Sequence, residues 1–370
     1  MASNPLAIAD RMALLDASGI RKVFDLAAKL ENPINLSIGQ PDFDVPEPVK
    51  EAAVAAIRSG QNRYTQTQGA AELRQAIAAQ CRAEFGLSAD PPVLVTSGVS
   101  GGLVLALLAT VNPGEEVVFA DPYFVMYRHL VNLCGGVPVP VDTYDDFRPD
   151  IQRFEDAITE RTRVLIVNSP SNPTGVVYTT EELAELGELA RKHNLLVISD
   201  EIYDRFCYDG EFAAMAPHYA HTLTMRGFSK SYAMTGWRLG WCTGPEPLIE
   251  KMTMLQQYTF VCAPSMVQAA GVTALETDIS AQVDAYRAKR DRVFDALGDS
   301  FGLVKPVGAF YAFVPAPGGD ASAFVEKAIA NNVLIIPGNV FSERNTHFRV
   351  SYATDDNRLA EGLDTLSKLA

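Results

Sequence analysis

A lysine and an arginine stand eight residues apart in Ser229-Lys230-Ser231-Tyr232-Ala233-Met234-Thr235-Gly236-Trp237-Arg238, just before the apolar run Leu239–Thr243. A solvated lysine is a spectator cation. One crowded by apolar and aromatic neighbours loses hydration, its pKa falls, and its free amine becomes a nucleophile. Other residues could serve the same chemistry. Asp200 follows a β-rich run in Asp200-Glu201-Ile202-Tyr203, where a carboxylate is either a cap or ion-pair partner, or faces a ligand. Asn172 sits in Ser169-Pro170-Ser171-Asn172-Pro173-Thr174-Gly175, a turn whose prolines fix the backbone. Ser97-Gly98-Val99-Ser100-Gly101-Gly102 opens an apolar helical stretch. Glycines there either make a tight turn or let backbone N–H groups approach a phosphate at a helix start. Arg349, in Phe348-Arg349-Val350-Ser351-Tyr352, reads by composition as a solvated strand residue.

Ligands of open α/β sheets bind beyond the carboxyl ends of the strands, so the strands come next. Short β-rich runs occur at Val93–Thr96, Val117–Ala120, Val137–Val141, Val164–Asn168, Leu195–Ser199, Thr222–Met225 and Leu239–Thr243. They are continuous apolar runs more than alternating ones, the mark of strands covered on both faces. Helical stretches lie between them. Thr179 and Glu182 form a capping box ahead of Leu183, Leu186 and Ala190, which share one face. Ser100–Thr110 reads as a buried helix. The alternation predicts an α/β domain around a mostly parallel seven-stranded sheet flanked by helices. Asp278–Phe301 reads as one long charged helix with Ala285, Ala288, Val293 and Leu297 inward. Beyond it, strands near Ala309–Val314, Val333–Ile336 and Phe348–Ser351 predict a smaller α+β domain. Asn35–Pro46 is a connector rich in Pro, Gly and Asp, so the N-terminal segment joins that smaller domain. The expected division is 1–43 and 278–370 in the small domain and 44–277 in the large one. Two domains suit 370 residues, since single cores stop growing at roughly 250–300.

With 31 basic and 45 acidic side chains, the net charge of −14 argues against nucleic acid, whose partners are basic. Five scattered cysteines form no CxxC pair and no zinc-binding spacing, which suits reduced thiols in a reducing compartment. The N-terminus lacks the pattern of a signal peptide. No apolar stretch reaches the ~18 residues of a membrane helix. A cytoplasmic protein is expected.

Taken together, the chain resembles the class I/II aminotransferases, the fold-type I pyridoxal 5′-phosphate (PLP) enzymes built like aspartate aminotransferase. The most specific motifs are SPSNPTG (169–175), SDEIY (199–203) and SKSYAMTGWRLGW (229–241). LSIGQPDF (36–43), NRYTQTQG (62–69), DPYFVMY (121–127) and FRVSYA (348–353) follow the family's order. The resemblance implies a large PLP-binding domain, a small domain built from both chain termini, and a homodimer with shared active sites. It implies ping-pong transfer of an amino group from an L-amino acid to a 2-oxo acid such as 2-oxoglutarate or pyruvate. Lys230 becomes the Schiff-base lysine and proton shuttle, and Asp200 the partner of the pyridinium nitrogen. Tyr203 and Asn172 would bond the ring's 3-oxygen. Val99, Ser100 and Arg238 would grip the phosphate, Phe124 would stack on the ring, and Tyr64 would reach the neighbouring subunit's phosphate. Arg349, with Gly39 and Asn172, would hold the substrate α-carboxylate, and Ile20 would line the substrate pocket with Tyr123.

Three positions depart from common family patterns. Gly227 stands where many relatives carry a phosphate-binding Ser, Ser100 where one aspartate-type branch carries Lys, and Phe124 where Trp or Tyr is usual. No motif places a cation at the distal end of the substrate, Arg21 and Arg128 being the remaining candidates. A broad or neutral/aromatic donor range follows. The same scaffold also hosts carbon–sulfur β-lyases, decarboxylases and synthases. A dinucleotide dehydrogenase fits poorly, because the glycines read GxxGG and Lys230, Arg238 and Arg349 stay unexplained. A non-catalytic regulator would need a DNA-binding segment, and the chain has no length to spare for one.

Overall fold

In the computed structural model, which describes residues 8–15 and 30–370, all seven apolar runs lie in one seven-stranded sheet. The order across it is Val93–Thr96, Gly240–Thr243, Thr222–Gly227, Leu196–Asp200, Thr162–Asn168, Glu116–Asp121 and Val137–Asp142. Neighbours are parallel except at Gly240–Thr243, which runs antiparallel to both flanking strands. The missing alternation has a direct cause. Val164 and Ile166 pack into one apolar cluster with Leu103 and Leu107 of the helix Gly98–Thr110. Leu165 and Val167 pack into another with Leu183 and Leu186 of the helix Thr180–Lys192. Both faces of the central strands are buried, so both are apolar; the edge strand Val137–Asp142 departs from the expectation, with Val137 and Pro140 exposed and Val141 alone buried. The Thr179/Glu182 capping box forms as the sequence predicts.

The antiparallel strand decides placement. It enters the sheet at the edge where its parallel neighbours leave it. Residues just before Gly240 therefore share that edge with residues just after Thr96, Asn168, Asp200 and Gly227.

A three-stranded antiparallel sheet, ordered Ile336–Pro337, His347–Ser351, Tyr311–Pro315, lies apart from the seven-stranded one. The single run expected at Val333–Ile336 divides: Val333–Leu334 pairs in parallel with Ile34–Asn35 from the N-terminal segment, and Ile336–Pro337 pairs with His347–Ser351.

The long helix, Ser280–Phe301, corrects one expectation. Val293 and Leu297 are buried, but Ala285 and Ala288 are exposed, and Tyr286, Lys289 and Arg290 face inward instead. The reason is pairing. Tyr286 packs on Phe206 and Phe310, Lys289 bonds Asp42, and Arg290 grips Asp209 at 2.8 and 3.0 Å. A charge with a partner can be buried, and small alanines then turn outward at little cost. No helix among the described residues is long and apolar enough to cross a membrane.

Candidate active site

One cavity of about 370 Å³ opens at the strand-end edge. Successive elements supply its walls. Val99 and Ser100 come from the first turn of the helix after Val93–Thr96, Phe124 and Tyr127 from the segment after Glu116–Asp121, and Asn168 and Asn172 from the end of Thr162–Asn168. Asp200 and Tyr203 come from the end of Leu196–Asp200, Lys230 follows Thr222–Gly227, and Arg238 precedes the antiparallel strand. Gly39, Tyr311 and Arg349 close the cavity from the other sheet's side.

The helix start is built for close approach. Gly98 has φ +69°, and a Cβ there would lie 2.6 Å from Arg238 Nη2. Arg238 itself holds φ 58°, a left-handed conformation that costs a non-glycine residue free energy. It is pinned by guanidinium bonds to the Thr235 and Ser97 carbonyls at 3.1 and 3.3 Å. A guanidinium and the free N–H groups of a helix N-terminus thus meet at one end of the cavity, a suitable anion seat. At Gly227 a Cβ would come within 3.1–3.2 Å of Ile202, the Leu239 carbonyl and Val99. A side chain at this position would have to displace its neighbours.

Lys230 is half-buried, with its amine turned into the cavity wall. Its Nζ bonds the Gly39 carbonyl at 2.5 Å and lies 5.9 and 5.8 Å from the Tyr203 and Phe310 ring centres. Burial, then the cations Arg349 and Arg238, lower its pKa to about 8, against the pull of Asp200. About a tenth of the amine is then free at pH 7, far more than for an ordinary lysine. Asp200 is 2% exposed. Burial pushes its carboxyl up to about 6, opposed by a hydrogen bond from Tyr127 Oη at 2.7 Å and by the Ile202 N–H. Arg349 is buried too, with burial lowering its pKa. Its Nη1 donates to Asn172 Oδ1 at 3.0 Å and its Nη2 to the Ser37 carbonyl at 2.8 Å, while Nε is buried without a partner. Because Asn172 Oδ1 accepts from Arg349, its amide nitrogen is left to donate elsewhere. Neither Asp200 nor Arg349 has an ion-pair partner within 4 Å among the described residues.

The cavity thus brings together Gly39, Val99, Ser100, Phe124, Asn172, Asp200, Tyr203, Lys230, Arg238 and Arg349. Tyr64 is 84% exposed and does not line it. Tyr123 is buried but does not line it either. Ile20 and Arg21 lie outside the described residues. Arg128 pairs with Glu343 at 3.4 Å and is not part of the wall. Two residues that sequence reasoning left without a role now gain neighbours. Tyr127 bonds Asp200. Tyr311 meets the Tyr203 hydroxyl at 2.9 Å and lies under the Arg349 guanidinium at 4.4 Å. Tyr127 was within reach as the last residue of DPYFVMY; nothing in the sequence around Tyr311 marks it.

These residues fit a flat, phosphorylated aldehyde such as PLP. The anion seat suits a phosphate, the low-pKa amine suits attachment to an aldehyde, and a buried carboxylate with no cation beside it suits a protonated ring nitrogen. The orphaned Nε of Arg349 suits a carboxylate. The family Aminotransferase class I and II matches residues 31–366. An "Aromatic-amino-acid aminotransferase 2" of Thermococcus litoralis is 38% identical, with 98% of each chain covered. An "Aspartate/prephenate aminotransferase" of Thermus thermophilus is 37% identical over 94% of each. The solved aspartate aminotransferase of Thermus thermophilus with maleate superposes with a TM-score of 0.93 at 34% identity, covering 99% of this chain and 100% of that one.

Proposed function

This chain belongs to the class I and II aminotransferases, PLP-dependent enzymes that move amino groups between amino and 2-oxo acids, and from that premise we propose how its residues divide the work. When bound, PLP supplies the electron sink that stabilises negative charge at the substrate α-carbon. Lys230 would hold the cofactor covalently, and its amine, when free, would move a proton at the substrate Cα. Its depressed pKa supports this, since an amine must be free to take a proton. Asp200 faces the ring nitrogen and keeps it protonated. Tyr203 and the Asn172 amide donate to the ring 3-oxygen. Val99, Ser100 and Arg238 hold the phosphate, and Phe124 covers the ring. Arg349, with Gly39 and Asn172, orients the α-carboxylate. The observation that carries this reading is that one cavity holds a buried carboxylate and a buried guanidinium, each without an ion-pair partner among the described residues.

The reading extends to assembly and location. Tyr64 serves the phosphate of a partner subunit, which its exposure and its place outside this chain's cavity support. A homodimer in the cytoplasm follows, with the five cysteines as thiols. Residues 30–43 and 278–370 make up the small domain, which the pairing of Ile34–Asn35 with Val333–Leu334 supports; of the expected segment 1–43, residues 1–7 and 16–29 lie outside the described residues.

The donor is a neutral or aromatic L-amino acid within a broad range, and the acceptor 2-oxoglutarate or pyruvate. Each cation among the described lining residues already has a task, Ser100 is short and uncharged, and Phe124 offers apolar surface. A panel of aspartate, alanine, methionine and phenylalanine tests this. Aspartate should not lead by more than about a hundredfold in kcat/KM, roughly 2.7 kcal/mol of transition-state preference. A larger lead means that a distal cation reads the side chain.

A further inference from the structure

We propose that Tyr127 is the positioning residue that keeps Asp200 ionised and aimed, and thereby sets how far into acid this enzyme holds its cofactor's ring nitrogen protonated. The inference rests on the reading that Asp200 faces that nitrogen. Asp200 receives two hydrogen bonds: Tyr127 Oη donates to Oδ2 at 2.7 Å, and the Ile202 N–H donates to Oδ1 at a longer 3.3 Å. Both are needed because the carboxylate is desolvated and has no cation within ion-pair distance among the described residues. Among the described residues Tyr127 gives the only side-chain bond, and the shorter of the two.

The phenol is well suited to that task. Burial and the adjacent carboxylate hold its pKa well above the ordinary tyrosine value, so it donates at every working pH and never competes as an anion. Its ring is fixed in turn. Tyr127 is the second residue of the helix Met126–Leu133, and it meets Phe124 edge-on at 5.7 Å and Phe119 at 6.1 Å. One short segment, DPYFVMY, therefore delivers both the ring that covers the cavity and the hydroxyl that steadies its carboxylate. The other titratable groups acting on this pair are Lys230, Tyr203 and Tyr178. Lys230 pulls Asp200 toward ionisation but stands only as its weakest influence. The remaining two are phenols with raised pKa values, neutral near physiological pH.

Removing the hydroxyl leaves Asp200 with one weak donor, so its protonated form gains. A protonated carboxyl cannot hold a cationic ring nitrogen, and the acid limit of the enzyme must rise. In Tyr127→Phe holoenzyme we expect PLP to dissociate about tenfold more readily. We also expect the acid limb of kcat/KM and the acid titration of the cofactor's visible band to move up by about one pH unit, the scale of one hydrogen bond to a charged group. KM for the amino acid should stay within about threefold, because Arg349 is untouched. In an Asp200→Asn background the same substitution should shift neither PLP affinity nor titration. A Tyr127→Phe protein with a lowered melting temperature but unmoved affinity and titration would make the tyrosine a packing residue only and overturn the inference. Near-normal turnover of Asp200→Asn alone would instead overturn the reading beneath it.

Discussion

Asp200 and Glu201 are consecutive carboxylates, 2% and 1% exposed, in opposite electrostatic surroundings. Successive side chains leaving a strand point to opposite faces. Glu201 turns toward Arg226, which meets it at 2.8 Å and also binds Glu84 at 2.6 Å and Asp204 at 3.5 Å. Burial raises the Glu201 pKa and Arg226 pulls it back. Asp200 turns into the cavity and finds a phenol and an amide instead. The two most buried arginines make the same contrast. Arg290 grips Asp209 with both terminal nitrogens, whereas Arg349 has an amide, a carbonyl and an orphaned Nε. An uncompensated buried charge costs several kcal/mol. Where the chain supplies the partner, the charge is structural; where it does not, the charge is left open to a ligand.

Substitutions can break or sharpen this contrast. The largest effect belongs to Lys230→Ala: the protein should still bind PLP but turn over negligibly, as single-turnover and steady-state assays would show. Asp200→Asn comes next, with kcat falling about a thousandfold for a loss of ~4 kcal/mol in the transition state. Glu201→Ala should do the reverse. It takes from Arg226 one of its three carboxylates and from Ser199 and the Met215 N–H their acceptor, and should destabilise the fold by about 1–3 kcal/mol in urea, while the folded, PLP-loaded fraction keeps kcat within severalfold. Equal losses of turnover from both carboxylate variants would erase the distinction. Arg349→Ala should raise KM about a hundredfold for every amino and 2-oxo acid alike, since the α-carboxylate is common to all and a charge-assisted bidentate contact is worth ~2–3 kcal/mol. A penalty confined to acidic substrates would show that Arg349 reads a side chain.

The smallest effect is a matter of pH. In cofactor-free protein the Asp200 carboxyl is raised to about 6 from an ordinary 3.8. Between those values the folded chain binds the extra proton, so this group's contribution to stability grows as pH falls through 6 toward 4 and is lost as pH rises. Asp200→Asn should therefore be neutral or stabilising for the cofactor-free protein at pH 7, with the advantage fading near pH 4. Urea titrations at both pH values check the sign.

Much of this was legible in the residues. Buried strands of a two-sided sheet must be apolar throughout, so the runs ending at Thr96, Asn168 and Ser199 could be placed within two residues, and the chemistry lay just beyond them. Charges misled where pairing reversed their usual exposure. Lys289 and Arg290 looked like solvent residues and are buried by Asp42 and Asp209, which are distant in sequence. Arg349 looked like a solvated strand residue, and only the match to FRVSYA pointed inward. Tyr127 and Tyr311 act through contacts across the fold, to Asp200 from the helix that follows Glu116–Asp121, two strands away in the sheet, and to Arg349 from the paired strand, and no local pattern encodes such partners. The role proposed for Tyr64 concerns a second subunit, which one chain's cavity does not include.

The contrast is sharpest between two lysines, half-buried Lys230 with a carbonyl for company and buried Lys289 paired with Asp42. Borohydride reduction of the PLP-loaded protein, followed by tryptic mapping, reads which of them holds the cofactor. The account predicts bleaching of the visible band and one modified peptide, residues 227–238, uncut at Lys230. A label on Lys289 or any other lysine, with residues 227–238 unmodified, would contradict it.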